Sequence, residues 1–422
     1  MAKSKKHSPA KKRPAATPVR LFGEKTYSPD ETVFQINNTS EAYFNSPYYK
    51  LHQANLQPFP KGGSANISLA DVIGQPAVDA ITQAGRIIFH SVGDTGAAKS
   101  TGPITEAKVA DMMAADFNTP VISDRPSFFF HLGDVIYYFG ETQYYYDQFY
   151  EPFRNYEAPI FSIPGNHDGM IYQATMTTLD AFLNNFCTAQ PQHATEAGSL
   201  VRTTMTQPNV YFTLDAPFVS IIGLYSNVLE GPGVISSQNG AYPIPDDQKN
   251  FLIAELQRLK TLRAKNNMAV IVAVHHPPFS GDAKHSGTTG LMNELDDAFT
   301  TAGLMPDLVL SGHAHLYQRF TRNINNRNIP YLISGSGGFA MTPIKNMPNG
   351  NAIPKGSQDA PTGVTLDEYI PAFGYLKLVA TNEMLGVQFN STDPQYGEGA
   401  DSIFIDLSTN VITTGKKGQG LI

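Results

Sequence analysis

The chain has 422 residues, 41% apolar and 16% charged, which is length and hydrophobic content enough for one large globular domain or two ordinary ones. Its single cysteine, Cys187, excludes an internal disulfide framework and fits a reducing compartment. The net charge of −7 is unevenly spread: residues 1–20 hold seven Lys or Arg and no acid, so of 30 basic residues 23 remain against 37 acidic ones, a balance that argues against a nucleic-acid groove.

In chain order, the basic start, residues 1–25, reads as a solvated, disordered tail, with an acidic partner or a membrane surface as the other use of such charge. No apolar segment of about 7–15 residues follows it, as a secretory signal requires, and no stretch reaches transmembrane length. A cytoplasmic location is therefore the default expectation. Residues 26–85 mix Pro, Gly, Asn and aromatic residues (Tyr43, Phe44, Tyr48, Tyr49) without a sustained period, which predicts an irregular extension packed by its rings. Within it, a helix over 68–83 should be interrupted at Gly74-Gln75-Pro76.

From Arg86 onward, strands predicted near 86–92, 127–132, 159–163, 210–214, 217–224, 268–275, 307–311 and 330–334 alternate with helices near 104–116, 141–151, 174–187, 246–264 and 290–303. This alternation predicts an α/β catalytic domain over 86–410 with buried sheets. The helix over 246–264 has the clearest signal, with Pro245 and Asp246 at its start and Leu252, Leu256, Leu259 and Leu262 on one face. Residues 375–390 predict a hairpin turning at Asn382-Glu383, residues 402–407 a further strand, and 411–422 a C-terminal tail.

Five short blocks sit just after predicted strands: Gly93-Asp94-Thr95-Gly96, Gly133-Asp134-Val135-Ile136-Tyr137, Gly165-Asn166-His167-Asp168, Val272-Ala273-Val274-His275 and Gly312-His313-Ala314-His315. Strand ends of an open α/β sheet gather ligands, and glycine lets the backbone turn so that the next side chain faces the crevice. A carboxylate following the apolar run Phe128-Phe129-Phe130 is costly unless a cation meets it, which marks Asp134 as a bridge between two metal ions. Two Asp, one Tyr, one Asn and three His suit ions of intermediate hardness and not a cysteine-rich structural zinc site.

Together these blocks resemble the GDxG, GDxxY, GNH(E/D), VxxH and GHxH signatures of the calcineurin-like metallophosphoesterases, and within them the purple acid phosphatases. The similarity spans roughly residues 86–390. Gly96 stands where the wider superfamily has the histidine of Asp-x-His, and Tyr137 supplies the ligand instead. Two departures are visible: Asp168 ends the third block where many members have Glu, and 21–85 is too short for the N-terminal β-sandwich of plant members. The resemblance implies a four-layer α-β-β-α sandwich of two mixed sheets flanked by helices. It also implies that Asp94, Asp134, Tyr137 and His315 hold one ion while Asp134, Asn166, His275 and His313 hold the other. Tyrosinate favours Fe(III), and the imidazole and amide set favours Zn(II), Mn(II) or Fe(II). Tyr138 is the competing phenol, turned the other way by its neighbouring position.

Two such ions about 3.5–4 Å apart would lower the pKa of a bridging water to give the nucleophile and would stabilise the attacking and leaving oxygens. His167 is expected to meet a phosphate oxygen or protonate the leaving alcohol, with Asp168 orienting its ring. His285 stands at the offset from the VxxH ligand where relatives carry a substrate-facing histidine. Arg319 reads as structural, and the 188–209 segment with Arg202 as a possible lid without an assigned role. The expected activity is hydrolysis of a small-molecule phosphate monoester. A phosphodiesterase acting on nucleotides or phospholipid head groups is the rival within enzymes, and a non-catalytic protein-binding scaffold the rival outside them.

Overall fold

The computed structural model describes residues 22–24, 65–96, 103–137, 139–169, 179–226, 233–242, 244–416 and 420–421. Residues 1–21, Tyr43, Phe44, Tyr48, Tyr49 and Tyr138 lie outside these. Two mixed sheets carry the described fold. One runs, in spatial order, Ser357–Asp359, Val364–Ile370, Tyr317–Ile324, Arg327–Ser334, Leu308–Ser311, Ala269–Val274, Val219–Leu224, Phe212–Ala216 and Asn66–Ser68. The other runs Ile412–Thr414, Asp401–Asp406, Met384–Ser391, Gly374–Ala380, Ile87–Val92, Phe129–His131 and Ile160–Ser162.

Because successive strand residues point to opposite faces, each strand sorts its side chains between two layers. Phe89, Phe128, Phe130, Ile271, Ala273, Leu308 and Leu310 meet in one cluster between the sheets. Their alternates Val270, Val272, Val274 and Val309 instead face a second cluster with Leu252, Leu256 and Leu259 of the helix Asp247–Arg263 and Leu291, Leu295 and Phe299 of the helix Thr289–Ala302. On the other side, Val92 and Phe129 pack with Val109, Met113, Phe182 and Phe186 of the helices Ile104–Ala115 and Asp180–Phe186. This is the expected four-layer α-β-β-α sandwich. Strands buried on both faces read as continuous apolar runs, which is why IIFHSV, FFF and AVIVAV were legible without alternation.

The central strands are parallel, so their ends coincide. Ile87–Val92, Phe129–His131 and Ile160–Ser162 run side by side in one sheet, and Val219–Leu224, Ala269–Val274, Leu308–Ser311 and Arg327–Ser334 in the other. All five blocks therefore leave the sheets at their carboxyl ends. There the sheets are laced together: the Gly93 N–H donates to the Ser334 carbonyl, at 2.9 Å, and the Gly93 carbonyl accepts the Gly337 N–H, at 3.1 Å.

The expected interruption of 68–83 is present: two helices, Leu69–Ile73 and Gln75–Ala84, meet at Gly74 with its φ of 83°. Several other boundaries differ from those read in the sequence. Asn66–Ser68 pairs with Phe212–Ala216 as an edge of the larger sheet, so the folded body begins before Arg86. At the other end Ile412–Thr414 pairs with Asp401–Asp406 and draws part of the expected tail into the smaller sheet. Residues 142–150 make a 3₁₀ turn, Thr142–Tyr144, and a wide turn of π type, Tyr146–Tyr150, in place of a regular helix. The strand Tyr317–Ile324 went unread because buried Gln318, Arg319 and Arg322 interrupt its apolar pattern, and Val364–Ile370 because half-buried Thr365, Asp367 and Glu368 interrupt its own. No described helix is long and apolar enough to cross a membrane.

Candidate metal centre

Four of the five blocks make their turns by backbone strain or by lack of side-chain volume, while His275 simply follows the strand Ala269–Val274. Asp94, Asp134 and His313 all adopt left-handed conformations, with φ of 57°, 54° and 67°. For residues other than glycine this costs on the order of 1–3 kcal/mol apiece and collects at functional sites. Two glycines give the room. A Cβ on Gly133 would lie 2.6 Å from the Gly165 nitrogen and 2.7 Å from His275 Nδ1, and one on Gly165 would lie 2.1 Å from Asp134 Oδ1.

Seven polar side chains then converge, all at most 5% exposed. The Tyr137 hydroxyl lies 3.1 Å from Asp94 Oδ1, 3.2 Å from Asp134 Oδ2 and 3.5 Å from His315 Nε2. His315 Nε2 is 3.4 Å from Asp94 Oδ1. On the other side of Asp134, its Oδ2 lies 3.2 Å from His275 Nε2, which is 3.1 Å from Asn166 Oδ1, itself 2.9 Å from His313 Nδ1. Asp134, His275 and His313 each offer one donor atom, all within 4.8 Å of one another. The donors thus fall into two groups that share the Asp134 carboxylate.

Donors bonded to one ion at about 2.1 Å stand roughly 3.0–3.4 Å apart in tetrahedral or octahedral arrangements. The observed spacings match this, and the carboxylate, phenol, amide oxygen and imidazole donors suit ions of intermediate hardness. Supporting contacts fix the donors in turn. His275 Nδ1–H donates to the Leu132 carbonyl, at 2.7 Å, turning Nε2 inward, and Asp94 Oδ2 accepts the His313 N–H at 2.8 Å. Burial opposes charge on His275, but the Asp134 carboxylate outweighs it and pushes its pKa up to about 9. Burial likewise works against the Asp134 anion, yet His275 and His167 hold it below the usual carboxylate range. A bound cation would take the place of that proton.

The neighbours of these donors were not all legible. A Cβ at Gly96 would meet Gln148 Oε1 at 2.5 Å and Tyr137 Cδ2 at 2.8 Å, so the space a longer side chain would need is taken by those two residues. Gln148 accepts the Tyr137 N–H and donates to the Tyr137 carbonyl, at 2.8 and 2.9 Å, and Phe339 stacks on the Tyr137 ring at 3.5 Å. His131 accepts the Gly133 N–H at Nδ1, 3.1 Å, which leaves Nε2–H to face Thr95 Oγ1 at 3.0 Å. Burial, with the His275 charge, lowers its pKa to about 3, so it works as a neutral brace. No motif announced Gln148, Phe339 or His131.

His167 lies beside the centre: its N–H donates to Asp134 Oδ1 at 2.8 Å, and its ring is 4.3 Å from that of Tyr137. The expectation that Asp168 orients this ring needs correction. Its oxygens accept the N–H groups of Val135, Ile136 and Gly165 at 2.8–3.2 Å, so it fastens the second block to the third. Burial and the neighbouring Asp134 charge push Asp168 up to about 7. The His285 ring stands 4.7 Å from the rings of both His313 and His315. Arg319 pairs with Asp401 and Asp367, a structural role as expected. Arg202 donates to the carbonyls of Phe153, Tyr156 and Ala158, which ties that part of the 188–209 segment to the entry of Ile160–Ser162, away from the donors, and argues against a lid. A groove lined by Ser68, Asp215, Phe218 and Lys265 lies at the opposite strand ends and contains none of them.

The family model for calcineurin-like phosphoesterases matches residues 92–317. Purple acid phosphatase 22 of Arabidopsis thaliana is 31% identical over 113 residues, 25% of this chain and 25% of that protein. The match thus spans about a quarter of that relative. Purple acid phosphatase PPD1 from seeds of yellow lupin (Lupinus luteus) superposes with a TM-score of 0.53 at 15% identity, over 76% of this chain and 54% of that chain. GAP50, the anchor in the inner membrane complex of Plasmodium, does so with a TM-score of 0.52 at 15% identity, over 79% and 90%. At such identities the two structures speak for the fold.

Proposed function

We propose that this chain, which belongs to the calcineurin-like phosphoesterase family, hydrolyses phosphate monoesters at a binuclear metal centre. The observation that carries the reading is the convergence of seven donors in two groups sharing Asp134. Asp94, Asp134, Tyr137 and His315 would hold one ion, with the phenolate favouring Fe(III). Asp134, Asn166, His275 and His313 would hold a divalent Zn(II), Mn(II) or Fe(II). Ions held there supply Lewis acidity toward a phosphoryl oxygen and a lowered pKa for the attacking water. No side chain then has to act as nucleophile.

Around them the protein orients and moves protons. His167, fastened through its own N–H to Asp134, presents its imidazole beside the centre to protonate the leaving alcohol. His285 contributes a donor toward the phosphate from the side of His313 and His315. Asp168 keeps the turns of Asp134 and Asn166 in register. The scaffold reading has a precedent in fold, since GAP50 is described as an anchor. Against it stands a complete donor set built on three strained backbone positions, which a binding scaffold does not need.

Purified protein assayed against an alkyl monoester, a diester and a nucleotide panel, with elemental analysis of the same sample, tests this. Two ions per chain and faster monoester hydrolysis are expected. A single ion per active chain, or activity that survives prolonged chelation, would overturn the binuclear assignment, and preference for the diester would overturn the substrate class.

A further inference from the structure

The loop from Pro277 to Thr288, which carries His285, is held mainly by residues outside the five blocks. At its rear, Gly287 and Thr288 pair in parallel with Gly23 and Glu24, and the Phe22 carbonyl accepts the Ser280 N–H at 3.0 Å. At its centre is Asp282, 2% exposed. Its Oδ1 accepts the N–H groups of Lys284, at 2.6 Å, and His285, at 3.0 Å. The same oxygen lies 3.8 Å from His285 Nδ1. Its Oδ2 accepts the Thr342 hydroxyl, and the Thr342 N–H donates to the carbonyl of His315 at 3.2 Å. Asp282 also bridges to Ile344, and the Ala283 N–H donates to the Pro343 carbonyl at 3.0 Å.

We propose that Asp282 is a positioning residue for His285, fixing its ring over the His313 and His315 imidazoles and tying its loop to the segment that follows His315. The inference rests on the reading of His285 as a group that meets the substrate phosphate. Two consecutive amides bound to one carboxylate oxygen fix the backbone at Lys284 and His285, and with it the direction in which the His285 side chain leaves the chain. The same oxygen lies on the Nδ1 side of the ring at 3.8 Å, a polar contact longer than a hydrogen bond, so the two backbone amides carry most of the positioning. A buried carboxylate with this many donors is held rigidly. A carboxylate serving the loop alone would have no cause to face the imidazole or reach Thr342.

The test is a double-mutant cycle on the full-length, metal-loaded protein, with kcat, KM and metal content measured for Asp282→Ala, Asp282→Asn, His285→Ala and the Asp282→Ala/His285→Ala pair. Misplacement of a group that meets the substrate costs up to about 10²-fold in rate, so Asp282→Ala should lower kcat/KM by roughly 10- to 100-fold with both ions kept. In the His285→Ala background the same change should add almost nothing. Asp282→Asn, whose amide oxygen still accepts the two backbone N–H groups, should fall between and serves where the alanine variant does not fold. Losses that multiply in the double variant, or loss of metal in Asp282→Asn, would overturn the proposal while leaving the hydrolase reading intact. Full activity in His285→Ala would overturn the role of His285 and this inference with it, whereas absence of turnover in the wild type with two ions bound would overturn the hydrolase reading itself.

Discussion

His167→Ala separates the metal-holding part of the site from the part that moves protons. The link from residue 167 to the centre is a backbone N–H donated to Asp134 Oδ1 at 2.8 Å, and alanine keeps it. Tyr137 loses a ring 4.3 Å away but keeps Phe339 on its face and Gln148 on its backbone. Both ions should therefore remain bound. Loss of a positioned proton donor usually costs about 10²–10⁴ in rate, or about 2.7–5.4 kcal/mol of transition-state stabilisation. The loss should be largest for an alkyl phosphate and much smaller for nitrophenyl phosphate, whose leaving group needs no proton. Steady-state kinetics on the two esters, with elemental analysis, decide the matter. Equal losses on both esters would assign His167 to phosphate positioning, and a drop in metal content would make it a ligand or a prop, contrary to the geometry.

Tyr137→Phe should fold, since the ring and its stacking partner stay, but the iron-loaded protein should lose its visible phenolate-to-Fe(III) absorption; a colourless wild type would refute the ligand assignment. Gly165→Ala sets a Cβ about 2.1 Å from Asp134 Oδ1, so metal content should fall sharply, and a fully loaded, active variant would show that the Asp134 geometry is not required. Far from the site, Asp116 accepts from His90, Tyr375 and Lys377. Burial opposes its charge, but His90 and Lys377 outweigh burial and lower its pKa to about 2 from 3.8. A folded pKa below the unfolded one stabilises at pH above 3.8, and the contribution, about 2 kcal/mol, is lost as pH falls toward 2. Denaturant unfolding of Asp116→Asn should show a shallower decline of stability over that window; an unchanged slope would refute the linkage.

Ligand identity was legible because it depends on local order: a polar side chain at a strand end, five times over, preceded by a glycine in four of the five blocks. What the sequence did not reveal are contacts between segments distant in the chain. Gln148 braces Tyr137 only because a wide turn at 146–150 brings it there, and Thr342 reaches Asp282 across a gap that no spacing rule foretells. The Asp168 expectation failed for a related reason. Adjacency to His167 implied a contact, but the turn points its carboxylate back at the amides of Val135 and Ile136, more than thirty residues earlier. The strand Tyr317–Ile324 was hidden because its buried arginines are neutralised by Asp296, Asp367 and Asp401, partners from other elements.

The cost of this arrangement explains the thickness of the scaffold around it. Three left-handed residues at about 1–3 kcal/mol each approach the whole net stability of an ordinary domain, about 5–15 kcal/mol. Buried carboxylates facing one another through a single phenol add to it. Such strain persists only where neighbours over-determine the conformation, and here they do: each strained turn follows a strand buried on both faces, and the turns bond to one another through the Asp94 N–H to the Gly133 carbonyl and the His313 N–H to Asp94. Loosening one strand should therefore disturb donors from both sheets at once. The two-sheet core is thus part of the site, because it keeps Asp94, Asp134 and His313 in conformations that none of them would adopt alone.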